Sequence, residues 1–296
     1  MSKILFDLSG KIDHLTVAAL SAVKSIADSN NSPFFVVGAS ARDFILKHCY
    51  GIEPRRLTTD IDLGVQVADW THFHRLTDAL KASGKFLPDE KQKQRYHFES
   101  VLIDIVPFGP ITDENQRIAW PPEHEIFMSM VGFKEAYEYA ITVRLSATPE
   151  LDIKLPTLAG LALMKIVSWR ERYPERLKDA EDLLLIMHMY EDAGNFDRLY
   201  DKEPELLQEE QFDPRLAGIR LLGRDMAKIA DVETLRIVKA ILEGETGEQS
   251  QYRLITDMIK GSLSYEGSFD ETLEQVEKLK TGLSEIAKGI YPQHPI

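Results

Sequence analysis

The chain has 296 residues, 44% of them apolar, enough for one large domain or two of ordinary size with real cores. Its 35 basic against 48 acidic residues give a formal charge of -13, which disfavours broad, non-specific nucleic-acid binding. A local basic pocket remains open at Arg55 and Arg56, or at Arg170, Arg172, Arg176 and Lys178.

In chain order, apolar residues at helical spacing predict a helix over 14–29, and PFFVVG (33–38) reads as a short buried strand stopped by glycine. A helix is expected over 41–50, a strand over 59–67 and a helix over 69–84 ending at Gly84. A further strand is expected over 97–109, closed by Pro-Phe-Gly, with additional strand candidates at 125–131 and 139–146. After LDIKLPTL, helical patterns take over at 157–172, 177–191, 214–230, 233–242, 250–260 and 270–289. EGETGEQSQ (243–251) reads as a surface loop. The expected fold class is an α+β (mixed α/β) domain with a small mixed sheet over 1–148, followed by an all-α domain over 149–296. The single cysteine, Cys49, argues against a disulfide framework or a multi-cysteine zinc site and is expected to be a small buried hydrophobe. With polar residues early in the chain and no run of about 18 apolar residues, a cytoplasmic protein without a membrane partner is expected.

Two acids interrupt the strand TTDIDLGV. Strand geometry points residues i and i+2 to one face, so Asp60 and Asp62 stand side by side, about 7 Å apart at the backbone, while Ile61 and Leu63 turn to a core. Neighbouring carboxylates repel, so a positive charge is expected between them, and Mg2+ or Mn2+ is suited to oxygen ligands. Asp104, flanked by Leu102, Ile103, Ile105 and Val106, is a third acid in an apolar strand. If the strands are neighbours, Asp60, Asp62 and Asp104 can together hold metal ions that bind a triphosphate. FFVVG leads into Ala39, Ser40, Ala41, Arg42 and Asp43, a strand, a small-residue turn and a helix start. Free backbone N–H groups there favour an anion, with Gly38 allowing close approach and the Ser40 hydroxyl as a donor.

G-A-S-A-R-D, then T-D-I-D-L and L-I-D-I-V, resembles the nucleotidyltransferase fold of DNA polymerase β and its relatives. In that superfamily a Gly-Ser or Gly-Gly turn precedes Asp-x-Asp and a third Asp on a later strand. The resemblance covers about residues 33–109, and Ala39 departs from the usual Gly or Ser. Gly38 to Asp43 is similar to the Gly-Gly-x-x-Arg-Asp opening of bacterial poly(A) polymerases and CCA-adding tRNA nucleotidyltransferases, in which Arg and Asp organise the site. Their Glu-Asp-x-x-Arg motif is not found downstream. A fuller resemblance, to about residue 190, is to the AbiEii-like abortive-infection nucleotidyltransferases. These carry Arg-x-Thr-x-Asp-x-Asp, matched from Arg56 through Thr58 to Asp60 and Asp62. They also carry a helical Lys, then Arg and Lys-Asp-x-x-Asp, matched by Lys165, Arg172 or Arg176, and Lys178, Asp179 and Asp182.

Lys165 shares a helix face with Leu158, Leu161 and Ala162, so either its ammonium has an anionic partner, an acid or a nucleotide phosphate, or its stem snorkels along apolar surface to reach water. Lys178 and Asp182, at i and i+4, can equally form an exposed ion pair. His72 and His74 diverge on a helix and take no metal role. The resemblance implies a Mg2+- or Mn2+-dependent nucleotidyltransferase acting on an NTP such as ATP or GTP. Asp60, Asp62 and Asp104 would be its catalytic metal ligands, and Gly38, Ala39, Ser40, Arg42, Lys165 and Lys178 its nucleotide contacts. It further implies an RNA (tRNA) or protein acceptor and, where the chain is a toxin, a cognate antitoxin. The competing expectations are a nucleotide-binding regulatory module with little activity and a tRNA nucleotidyltransferase.

Overall fold

The computed structural model describes residues 4–54, 58–122, 124–261 and 268–287. The chain forms two units, Met1–Thr157 and Leu158–Ile296. Arg55 and Arg56, singled out for their charge, lie outside the described residues.

The first unit contains β1 (Ile4–Asp7), α1 (His14–Ser29), β2 (Phe34–Val37), α2 (Gly38–Asp43), β3 (Asp60–Gln66), α3 (Trp70–Ala82), β4 (Leu87–Pro88), β5 (Arg95–Phe98) and β6 (Val101–Phe108). It continues with β7 (Arg117–Ala119), β8 (Phe127–Ser129), α4 (Phe133–Glu138), β9 (Ile141–Ala147) and β10 (Glu150–Leu155), so it extends past the expected boundary at residue 148. The helices start where the side chains dictate. Asp13 accepts the Thr16 N–H at 2.9 Å and Asp69 the His72 N–H at 2.8 Å, each satisfying a donor left over by the first turn of α1 or α3. The helix expected over 41–50 begins earlier, at Gly38, and continues beyond α2 as a π-helical segment over Phe44–Cys49.

The central sheet has the order β2-β3-β6-β5-β4. β3 and β6 run parallel, while β2 pairs with β3, β5 with β6 and β4 with β5 in the antiparallel sense. The single strand expected over 97–109 is instead a hairpin. The polar pair Glu99 and Ser100 forms a two-residue turn, with Glu99 at a φ of 50°, and Phe98 faces Val101 across it. Phe35, Phe108, Phe133 and Tyr137 pack on one another at ring separations of 5.4 to 6.3 Å. A β-carbon at Gly64 would meet the Phe35 ring at 2.5 Å, so a glycine in mid-strand lets this aromatic cluster close on the sheet. A second sheet, β1-β9-β10, and the hairpin of β7 and β8 complete the unit.

The second unit contains α5 (Leu158–Glu171), α6 (Leu177–Met189), α7 (Phe196–Asp201), α8 (Pro204–Glu209), α9 (Pro214–Ile229), α10 (Val232–Thr246), α11 (Arg253–Gly261) and α12 (Phe269–Ala287). The two short helices α7 and α8 were not expected. The loop expected over 243–251 starts late, because α10 runs to Thr246 and buries Glu245. The Glu245 carboxylate then accepts the Arg253 N–H at 2.8 Å, capping α11. α9 and α12 approach closely through Gly223 and Gly282, where added β-carbons would lie 2.2 and 2.0 Å from backbone carbonyls of the facing helix. Glu285 of α12 accepts hydrogen bonds from both Arg220 and Arg224 of α9 at this contact. Among the described residues no helix is long and apolar enough to cross a membrane.

Candidate active site

The parallel pairing of β3 with β6 places Asp62 opposite Asp104 and Asp60 opposite Leu102. Alternation then sends Asp60, Asp62 and Asp104 to one face while Ile61, Leu63, Ile103 and Ile105 are buried on the other. One carboxylate oxygen from each acid lies within 4.8 Å of the others. Asp104 is buried, and Asp60 and Asp62 are partly exposed. Three carboxylates so close form an all-oxygen donor set that fits a hard divalent cation such as Mg2+ or Mn2+.

β2 delivers the second part of the site. Val37 pairs with Asp62, and the next residue, Gly38, opens α2 with a φ of +67°. A β-carbon at Gly38 would lie 2.1 Å from Asp62 Oδ2, so the helix begins against the carboxylate and only glycine fits. Among the described residues no side chain caps α2, and its first N–H groups point to the same end of the sheet as Asp62. Ser40 is buried. Its hydroxyl donates to the Val37 carbonyl at 3.0 Å and accepts from the Asp62 N–H at 3.3 Å, so it ties the turn to β3. Arg42 is also buried and hydrogen-bonds Asp43 through Nε at 2.9 Å. Asp43 accepts the Thr58 N–H at 2.9 Å, and the Thr58 hydroxyl donates to Asp60 Oδ1 at 2.5 Å. A chain of contacts therefore runs from α2 through Thr58 to the first acid.

Arg95, which was not singled out in the sequence, belongs to the same cluster. It faces Asp104 across the β5-β6 hairpin and grips it with two parallel bonds, Nε to Oδ1 at 2.7 Å and Nη2 to Oδ2 at 2.8 Å. Nη2 also reaches Asp60 Oδ2 at 3.4 Å. Its hydrogen bonds to Asp104, reinforced by the charges of Asp104 and Asp60, hold the guanidinium above its ordinary pKa. A signal for Arg95 was present. A two-residue turn at Glu99 and Ser100 pairs residue 95 with residue 104 by counting alone.

Lys165 and Lys178 lie in the second unit, on α5 and α6. The anionic partner of Lys165 is a pair of acids, Asp179 and Asp182, each 2.7 Å from Nζ. Burial works against the charged ammonium, but the two carboxylates outweigh it and raise the Lys165 pKa above the usual lysine value. Asp182 is thus engaged by Lys165, and Lys178 is exposed on α6. Cys49 is half-buried, and desolvation pushes its thiol up to about 12, which leaves it a poor nucleophile.

The sequence matches the family model described as nucleotidyl transferase AbiEii toxin, type IV TA system, over residues 27–275. No curated protein matches it. Among solved structures, the chain is similar to the antibiotic-resistance factor ANT(2'')-Ia at 15% identity and a TM-score of 0.35, covering 68% of this chain and 98% of that one. A CCA-adding enzyme in complex with ATP has 15% identity and a TM-score of 0.32, covering 93% of this chain and 82% of that one. A putative nucleotidyltransferase from H. pylori has 9% identity and a TM-score of 0.36, covering 96% and 100%.

Proposed function

The chain belongs to the AbiEii family of nucleotidyl transferase toxins, and from that premise we propose a metal-dependent transfer of NMP from an NTP to a hydroxyl of an RNA or protein acceptor. In the reaction the acceptor oxygen bonds to the α-phosphorus, the bond to the bridging oxygen breaks, pyrophosphate leaves and the hydroxyl proton passes to solvent. Asp60, Asp62 and Asp104 would hold Mg2+ or Mn2+, which when bound offsets the triphosphate charge and makes the acceptor hydroxyl more acidic.

The observation that carries this reading is the triad itself, three carboxylate oxygens within 4.8 Å of one another beside the start of α2, which no side chain caps among the described residues. The backbone N–H groups from Gly38 to Ser40 would receive phosphate oxygens, since the Ser40 hydroxyl proton is spent on the Val37 carbonyl. Arg42 acts on the site through Asp43, and Thr58 fixes the Asp60 carboxylate through its hydroxyl. The assignment is confined to the first unit. Lys165 is given a supporting role in the second, where two acids already meet its charge. A binding module without chemistry is disfavoured by the completeness of the triad, because a pocket that only binds nucleotide has no use for three converging acids.

The test is incubation of the protein with each labelled NTP and Mg2+, in the presence of total cellular RNA, of tRNA, or of the protein alone. Transfer with pyrophosphate release is expected in at least one mixture. Transfer that survives Asp60→Ala combined with Asp62→Ala would sink the assignment. The toxin reading predicts growth arrest on expression, lifted by Asp60→Ala and by co-expression of a cognate antitoxin.

A further inference from the structure

Arg95 lies within the proposed ligand set, yet it cannot itself ligate a cation. Its guanidinium is a donor only and stays protonated in proteins, so it is a permanent positive charge among the acids. It is 19% exposed, fixed on the strand beside β6, and its donors cover both oxygens of Asp104 as well as reaching Asp60. Among the described residues Arg42 is also paired with Asp43. The guanidinium of Arg95 offsets one of the three negative charges of the triad. A divalent ion is therefore held less strongly until a triphosphate adds its own negative charge. An ion that binds Asp104 must use its remaining lone pairs or displace one N–H of Arg95.

We propose that Arg95 is a built-in counter-cation of the triad, a positioning residue that holds Asp60 and Asp104 together in the absence of metal and weakens the site for free divalent ions, so that full occupancy waits for nucleotide. This rests on the metal-dependent reading above and adds to it a residue that sets the order of assembly.

Mn2+ binding to the full chain, measured by electron paramagnetic resonance without nucleotide, tests it in the wild type, Arg95→Gln, Arg95→Lys and Asp60→Ala with Asp62→Ala. Arg95→Gln is expected to bind Mn2+ about tenfold more tightly or better, and Arg95→Lys, which keeps the charge, to stay within about threefold of wild type. In chelator Arg95→Gln should melt below wild type, and Mn2+ should restore it. Wild-type binding that the double alanine variant abolishes, with Arg95→Gln binding no tighter, overturns the counter-cation role and leaves the metal site standing. Mn2+ binding that is absent from both wild type and Arg95→Gln, or that is unchanged in the double variant, overturns the metal reading and this proposal with it. If Arg95→Gln does not fold, Arg95→Lys carries the test, and a tenfold shift in its affinity in either direction overturns the proposal.

Discussion

Replacing Gly38 by alanine separates backbone strain from damage to the site. Gly38 has a φ of +67°, a conformation that costs an L-residue about 1 to 2 kcal/mol. The new β-carbon would also lie 2.1 Å from Asp62 Oδ2, and ordinary contact begins at 3.4 Å, so the carboxylate must retreat by more than about an ångström. The backbone cannot absorb the shift cheaply, because Val37 and Asp62 are paired across the sheet and Ser40 ties the Asp62 N–H. Gly84 supplies the control, with a φ of +71° and nothing within 4 Å of an added β-carbon. Gly84→Ala should therefore lose about 1 to 2 kcal/mol in urea unfolding, and Gly38→Ala at least as much because of the added clash. Only Gly38→Ala should lose transfer, by about a hundredfold or more, since an ångström of misplacement at a reacting centre has that effect. Equal transfer by Gly38→Ala and wild type would refute the reasoning, and so would an equal loss in Gly84→Ala.

Lys165→Met removes the ammonium shared by the buried acids Asp179 and Asp182 and should cost about 3 to 5 kcal/mol by urea unfolding at pH 7. Because the Lys165 pKa is raised in the folded state, its stabilisation is complete below the ordinary value of 10.5 and fades only as pH rises through the raised value. The variant should accordingly lack that alkaline part of the stability profile. With its thiol held at about 12 against an ordinary 9.0, Cys49 should be alkylated at pH 8 about a thousandfold more slowly than in the urea-unfolded chain, as followed by mass spectrometry. Gly282→Ala would set a β-carbon 2.0 Å from the Arg220 carbonyl and force α9 and α12 apart, lowering stability by about 1 to 3 kcal/mol in thermal or urea unfolding.

The two carboxylates of β3 and the one of β6 could be read from the sequence because charge inside an apolar strand has few structural uses, and alternation states which acids share a face. Lys165 could be read for the same reason, as a cation on a buried helix face, and its acids lie one helix further on. Arg95 escaped notice because QKQRYHF is polar enough to pass for a loop, and because reading 97–109 as one strand hid the turn that brings residue 95 back to residue 104. β1 was missed for a different reason. Its partner β9 follows more than a hundred residues later, so its stability comes from pairing that no local pattern records. The helices α7 and α8 are six residues each, too short for an apolar period to declare itself.

The turn at Glu99 and Ser100 has the character of a ruler. It sets by length alone which residue of β5 meets Asp104. One residue more in that turn would slip the register by one and reverse the faces of β5, sending Arg95 inward and the buried Tyr96 out toward the acids. Insertions, tolerated at most surface turns, would here disturb folding and chemistry together. A library of turn-length variants should consequently divide sharply, with substitutions at Ser100 tolerated and changes in residue count excluded.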